Sequence, residues 1–265
     1  MQQQPMRVLT QQQVSPEAAQ FAATYQLGVP QSEYRVRLKK STIIYMIIVL
    51  LLGVISLVSA LGSDQTEGMV TFLIVGLVFI GAGIYLALTP VIYGSWRVYI
   101  CSDGFAFRRG KRIDAFRWDQ VESIRQAVTR RYYYGIYTGT THRYTIRRKD
   151  GVQIALRDQF ADVEQIGNTL SNAITQALFP QVLAAYNAGQ TITFGSLSVS
   201  LQGVSNNNGQ TWLPWNQIKE IKINRGVISV RQEGKWLNWS TAYASRIPNI
   251  SVFLALVNYV LKNRQ

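Results

Sequence analysis

The sequence predicts an α+β membrane protein: a two-helix transmembrane hairpin followed by two tandem β-rich units, each closed by a helix. Three observations carry this. Two long runs, 41–63 and 69–94, contain neither Lys, Arg, Asp nor Glu. Charged residues make up 15% of the 265-residue chain, against about 25% in soluble globular proteins. A Trp-centred segment recurs after an offset of 97 residues in the remainder.

The charge balance is basic and uneven. The chain has 27 Lys+Arg against 14 Asp+Glu, a net charge of +13. Residues 41–94 carry no Lys or Arg, while the segments on either side are each net positive. A single Cys (Cys101) excludes an internal disulfide and a Cys-based metal cage; a single His (His142) excludes a multi-His site.

The arm, 1–40, opens with a Gln-rich stretch over 1–14 that reads as disordered. Ser15-Pro16-Glu17 then starts a helix: a side-chain cap, a proline in the first turn and an acid at the positive end. Gly28 and Pro30 end it, giving a short helix over about 16–26, expected to dock loosely.

Each apolar run exceeds the roughly 18 residues that a helix needs to cross a bilayer core. The linker 64–68 is short and has no basic residue, whereas Arg35, Arg37, Lys39 and Lys40 precede the first span and Arg97, Arg108, Arg109, Lys111 and Arg112 follow the second. The positive-inside rule then puts both termini in the cytoplasm of a two-pass cell-membrane protein. Ser56 and Ala60 in the first span, and Gly76, Gly83 and Ala87 in the second, have the spacing of close helix packing, within the hairpin or between copies. Neither span offers an ionisable residue to line a pore.

Beyond the hairpin, Phe116–Arg125 matches Leu213–Lys222 position by position through Trp118 and Trp215. Each Trp is preceded by a hairpin (Val98–Ile100 with Phe105–Phe107; Thr191–Phe194 with Leu197–Leu201) and followed by further strands with polar turns at 149–151 and 233–235. An amphipathic helix closes each unit: Val163, Ile166, Leu170, Ile174 and Ala177 in the first, and Ile250, Phe253, Leu254, Val257 and Leu261 in the second. Phe179-Pro180 is expected to break the first of these, with another short helix after it. The units span 95–187 and 188–265.

Several antiparallel strands followed by one helix resemble the pleckstrin-homology-like (PH-like) fold. The whole also resembles a family of uncharacterised bacterial membrane proteins, a domain of unknown function with a transmembrane hairpin and PH-like cytoplasmic domains. The residues that carry this are Tyr25–Pro30, Ala184–Gly195, Leu213-Pro214-Trp215, Gly234–Leu237, Ile247-Pro248-Asn249 and Val252–Val257. The resemblance implies a fold and brings no activity with it.

Chemistry is sparse. Gly203 and Gly209 flank a polar turn without the spacing of a phosphate loop. Asp158, Asp162 and Glu164 cluster where a helix begins, and Asp162 with Gln165 fits a capping box. His142 reads as a structural strand residue, and nothing near Cys101 forms a nucleophile pair. Trp118, Trp215, Trp236 and Trp239 read as core. No catalytic residue, metal ligand or cofactor is expected, and the chain reads as a non-enzyme.

One asymmetry stands out. Where the second unit turns tightly at Arg225-Gly226, the first runs about ten residues longer, through Arg130, Arg131 and four Tyr including Tyr133 and Tyr137. Arg and Tyr together favour membrane interfaces and protein contact surfaces. With Arg108, Arg109, Lys111 and Arg112 they form the candidate contact surface. The expected function is a membrane-anchored adaptor, holding a protein partner or its own copy. The alternative is a lipid-responsive module whose basic, Tyr-rich face binds anionic headgroups. Charge scattered over strands and tied to spans argues against nucleic acid.

Overall fold

The computed structural model describes residues 15–36, 40–160, 162–206 and 209–263. The Gln-rich stretch and the basic flank residues Arg37 and Lys39 lie outside the described residues. The fold is mixed α+β, with two long apolar helices followed in the chain by antiparallel sheets.

Helix α1 (Pro16–Thr24) begins as its sequence requires: the Ser15 hydroxyl accepts the Ala18 N–H at 3.4 Å. It is not loosely docked. Ala18, Ala22 and Leu27 are buried with Tyr99, Cys101 and Ala106 in a small separate core. The small alanine side chains let α1 lie close against the strands beneath it.

The chain then forms strand β1 (Pro30–Arg35), helix α2 (Lys40–Leu61), helix α3 (Thr66–Tyr93) and strand β2 (Arg97–Cys101). β1 pairs antiparallel with β2, with Tyr34 opposite Val98 and Arg35 opposite Arg97. The helical hairpin is therefore inserted between two neighbouring strands of one sheet. β3 (Gly104–Arg109) and β4 (Arg112–Arg117) complete the order β1-β2-β3-β4. The sequence reading begins the first unit after the hairpin; the structure adds β1 from before it.

Within the hairpin the small residues set the crossing. A Cβ on Gly53 would lie 3.3 Å from the Gly76 carbonyl oxygen, and one on Gly83 would lie 2.3 Å from Leu50 Cδ2. Ala60 is buried, while Ala87 is exposed and takes no part in this contact. Most other apolar side chains of both helices point away from the protein.

After a single turn of 3-10 helix at Trp118–Gln120 come β5 (Val121–Tyr133), β6 (Ile136–Arg148) and β7 (Gln153–Arg157), in one three-stranded sheet, and then α4 (Val163–Asn187). The second unit repeats the plan. β8 (Ile192–Phe194), β9 (Leu197–Val199), β10 (Gly203–Asn206) and β11 (Thr211–Pro214) form a four-stranded sheet. A 3-10 turn at Trp215–Gln217 leads to β12 (Ile218–Asn224), β13 (Val227–Gln232) and β14 (Asn238–Tyr243), then α5 (Ile250–Lys262). Each unit is thus four strands, a Trp-led turn, three strands and a helix. The equivalence reaches single bonds: Trp118 Nε1 donates to the Ser102 carbonyl at 2.8 Å, and Trp215 Nε1 to the Ser200 carbonyl at 2.9 Å.

Two expectations are corrected here. Pro180 does not break α4, which runs on to Asn187. The proline removes one helical N–H, but Val182, Leu183 and the buried Tyr186 pack on the core and hold the last two turns in line. The capping box is also absent, because Asp162 makes no side-chain cap bond. Asp158 instead accepts the His142 N–H at 3.0 Å, tying β6 to the loop before α4.

One continuous hydrophobic core joins both units, from Phe105 and Tyr144 to Phe253 and Leu256. Asn249 locks them at the backbone. Its amide oxygen accepts the Ile124 N–H at 2.9 Å, and its amide nitrogen donates to the Glu122 carbonyl at 3.0 Å. Asn249 has φ 52°, a left-handed conformation that Asn tolerates better than most residues.

Candidate interaction surfaces

Strand register builds the first surface. Arg35, Arg97 and Arg108 lie side by side across β1, β2 and β3, and Arg109 faces Arg112 across the β3–β4 turn. These positions are at the end of the sheet where β1 leads into α2 and α3 leads into β2. Lys111 is exposed in the same turn. Trp96 stands at the junction, edge-on to Tyr93 at 4.8 Å and to Phe107 at 5.5 Å. A basic rim with aromatic residues therefore lies along the sheet end from which the apolar helices leave.

Three acids organise the rim. Glu33 is 6% exposed and holds Arg35 at 2.7 Å and Arg97 at 3.5 Å. Burial pushes its carboxyl up, but hydrogen bonds from Ser15 and Arg35 and the charge of Arg35 outweigh this, so it titrates below its ordinary value. Asp114, 8% exposed, holds Arg109 at 2.7 Å and Arg112 at 3.1 Å. Glu17 of α1 pairs with Arg108 and accepts the Tyr99 hydroxyl at 3.0 Å. The roles of Glu17 and Glu33 as partners of these arginines emerge only in the structure. Their one signal was that they are the only acids of an otherwise basic arm.

The α1 dock gives a pH prediction. Burial, and then the nearby Asp103 charge, push the Cys101 thiol up to about 11. Burial, with the Glu17 hydrogen bond and charge, pushes Tyr99 up to about 12. Both groups are favoured in their protonated forms when folded. This stability is fully present below the ordinary thiol value of about 8.5 and is lost as pH rises toward 11. The urea midpoint of the chain in detergent should be flat to about pH 8.5 and then fall. A Cys101→Ala, Tyr99→Phe variant should fall less steeply; an equal slope would contradict the assignment.

The second surface is the β5–β6 ribbon, where the insertion lies. β7 pairs with β6 only from Arg143 onward, so among the described residues the ribbon from Val128 and His142 to its tip is two strands alone. Tyr132, Tyr133, Tyr134, Ile136 and Tyr137 are each at least half exposed. Arg130 and Arg131 are exposed just behind them. The equivalent β12–β13 hairpin turns at Arg225-Gly226, with the same pair of positive φ angles as Tyr134-Gly135. The candidate residues therefore fall into two groups on two different sheets: Arg108–Arg112 on the rim and Arg130–Tyr137 on the ribbon.

Two further features complete the surface. His142, at the root of the ribbon, has Nδ1 3.5 Å from Asp158 and Nε2 3.7 Å from Glu164. Trp236, expected in the core, is 84% exposed, with Leu237 beside it. Both precede β14 in the β13–β14 turn, whereas Trp239, inside β14, packs on the core.

No curated protein matches the chain. A family model does, over residues 1–265, under the description "Family of unknown function (DUF6585)". Matched over its whole length, the chain belongs to that family.

Proposed function

We propose that this chain is an integral membrane protein, crossing the bilayer twice with both termini cytoplasmic, and that its two β-rich units are PH-like. It acts without catalysis, as an adaptor that holds a protein partner or a second copy at the membrane surface. The observation that carries this reading is the hairpin's position between β1 and β2. A pair of membrane-crossing helices set there fixes one end of the first sheet at the bilayer and leaves the remaining surface for contacts.

Further support is physical. The two helices have mean hydropathies of 2.8 and 2.4 and are only 11% buried, so the described residues do not cover their apolar surface. The chemistry-bearing residues are used structurally: Cys101 is buried, Asp158 ties a strand, and Trp118 and Trp215 brace turns. The alternative, recognition of anionic headgroups, is favoured by the basic rim at the helix exit.

Photo-cross-linking in intact cells tests the adaptor reading, with the reactive group at the exposed Trp236 or Leu237 and a control at Arg225. A discrete protein adduct at Trp236 or Leu237, absent at Arg225, is expected. Adducts with lipid alone would favour the headgroup reading and overturn the adaptor.

A further inference from the structure

We propose that the tip of the β5–β6 ribbon is a second membrane anchor, which inserts end-on into the headgroup region of an anionic leaflet. This rests on the membrane reading above and adds to it a site, a mode of contact and a ligand chemistry.

The ribbon is layered from its tip. Working back from the Tyr134-Gly135 turn, the first two rungs are Tyr133 with Ile136 and Tyr132 with Tyr137. The next two bring Arg131 opposite Gly139 and Arg130 opposite Thr140. At about 3.4 Å per residue, the aromatic layer is roughly 8–10 Å tall. Interfacial segments bury their apolar side about 5–10 Å deep. The Arg pair then falls at the depth of the lipid phosphates.

Side-chain alternation decides between a bilayer and a flat protein partner. Successive strand residues point to opposite faces, so Tyr132 and Tyr133 project on opposite sides, as do Ile136 and Tyr137, and Arg130 and Arg131. A flat partner would cover one face and leave the other aromatic face in water. A bilayer interface surrounds the tip on all sides.

Charge and reach agree with this. Residues 123–149 contain seven Lys or Arg and no acid. Positive charge close to an anionic leaflet contributes favourably, residue by residue. The ribbon starts just after β4, whose last residue pairs with Gly104 at the end of the first sheet away from the helices. That sheet's strands are about 20 Å long, whereas the 13-residue β5 spans about 44 Å. The ribbon is therefore long enough to reach back to the bilayer from its root. The tight Arg225-Gly226 turn of the second unit shows that the fold does not need the extra length.

The test uses the full chain in vesicles, with an environment-sensitive nitrobenzoxadiazole label at Tyr134→Cys or, as control, at Arg225→Cys. The buried Cys101 stays in place. Vesicles are phosphatidylcholine alone or with phosphatidylserine, and carry nitroxide-labelled lipid as quencher. The label at 134 should be blue-shifted and quenched in phosphatidylserine vesicles, and the label at 225 should not. Replacing Arg130 and Arg131 with Ala should lower the ratio of inserted to free ribbon by about thirtyfold. Equal quenching at 134 and 225 would overturn the proposal, as would a blue shift at 134 without lipid quenching, which would mean protein cover. Equal quenching in both vesicle types would overturn its anionic part. An alkaline carbonate wash separates the two readings. If the chain stays in the vesicles but position 134 is unquenched, the anchor fails alone; if the chain washes off, the membrane reading fails first.

Discussion

Trp215→Ala is expected to destabilise the chain by about 3–5 kcal/mol, the range for truncating a large buried aromatic residue. Trp215 is 3% exposed, and its indole N–H is used on the Ser200 carbonyl at 2.9 Å. The substitution opens a cavity in the shared core and removes the bond that holds the β9–β10 turn. The first unit supplies an internal comparison. Trp118 makes the same bond but is only partly buried, stacked on Phe105 at 5.6 Å. Trp118→Ala should therefore cost less, roughly 1.5–3 kcal/mol. Equilibrium unfolding in detergent would measure both. A larger loss at Trp118 than at Trp215 would contradict the burial argument.

Gly203→Val should be equally damaging for a different reason. A Cβ at Gly203 would lie 2.0 Å from the Leu213 carbonyl oxygen; at Gly104 it would lie 2.3 Å from that of Phe116. Neither glycine has a positive φ; the requirement is room for the neighbouring strand, not backbone freedom. Both glycines open the third strand of their sheet, opposite Pro214 and Arg117 respectively. The obstacle is backbone, which cannot rotate away, so the rung must open at a cost of about 3 kcal/mol or more. That corresponds to a fall in Tm of roughly 6–12 °C. An unchanged Tm in both Gly104→Val and Gly203→Val would show that the strands are not paired at these rungs.

Much of the architecture was legible because it is written in strong local patterns. The apolar runs are long and uncharged, and the Trp-centred segment repeats with its neighbours in order. β1 was not legible. Pro-Gln-Ser-Glu-Tyr-Arg shows no clear alternation, and its partner Val98 lies more than sixty residues away, beyond the hairpin. The firm docking of α1 was also hidden, since it depends on the smallness of Ala18 and Ala22 rather than on an apolar stripe. At Pro180 local propensity was overridden by packing, through Val182, Leu183 and Tyr186. Trp236 misled in the opposite way, as a large aromatic residue lying just before its strand. The Arg/Tyr insertion was visible from the repeat alone. What the sequence could not show was that its aromatics sit on both faces of a free two-stranded tip, because that depends on register.

The two surfaces are related by topology. The hairpin enters the first sheet between β1 and β2, so the row of Arg35, Arg97, Arg108, Arg109 and Arg112 lies along the sheet end from which it leaves. With the ribbon as a second attachment, the paired units would be held to the bilayer at two points, which would orient the Trp236-Leu237 turn and the exposed polar face of α4.

Thiol accessibility in intact cells would show whether the hairpin crosses a membrane between two strands of one sheet. A membrane-impermeant maleimide is applied to Asp64→Cys, in the linker between α2 and α3, and to Arg225→Cys, in the β12–β13 turn. Labelling is expected at position 64 from outside the cell and at position 225 only after lysis. Labelling of both positions only after lysis, or of position 225 from outside, would contradict it.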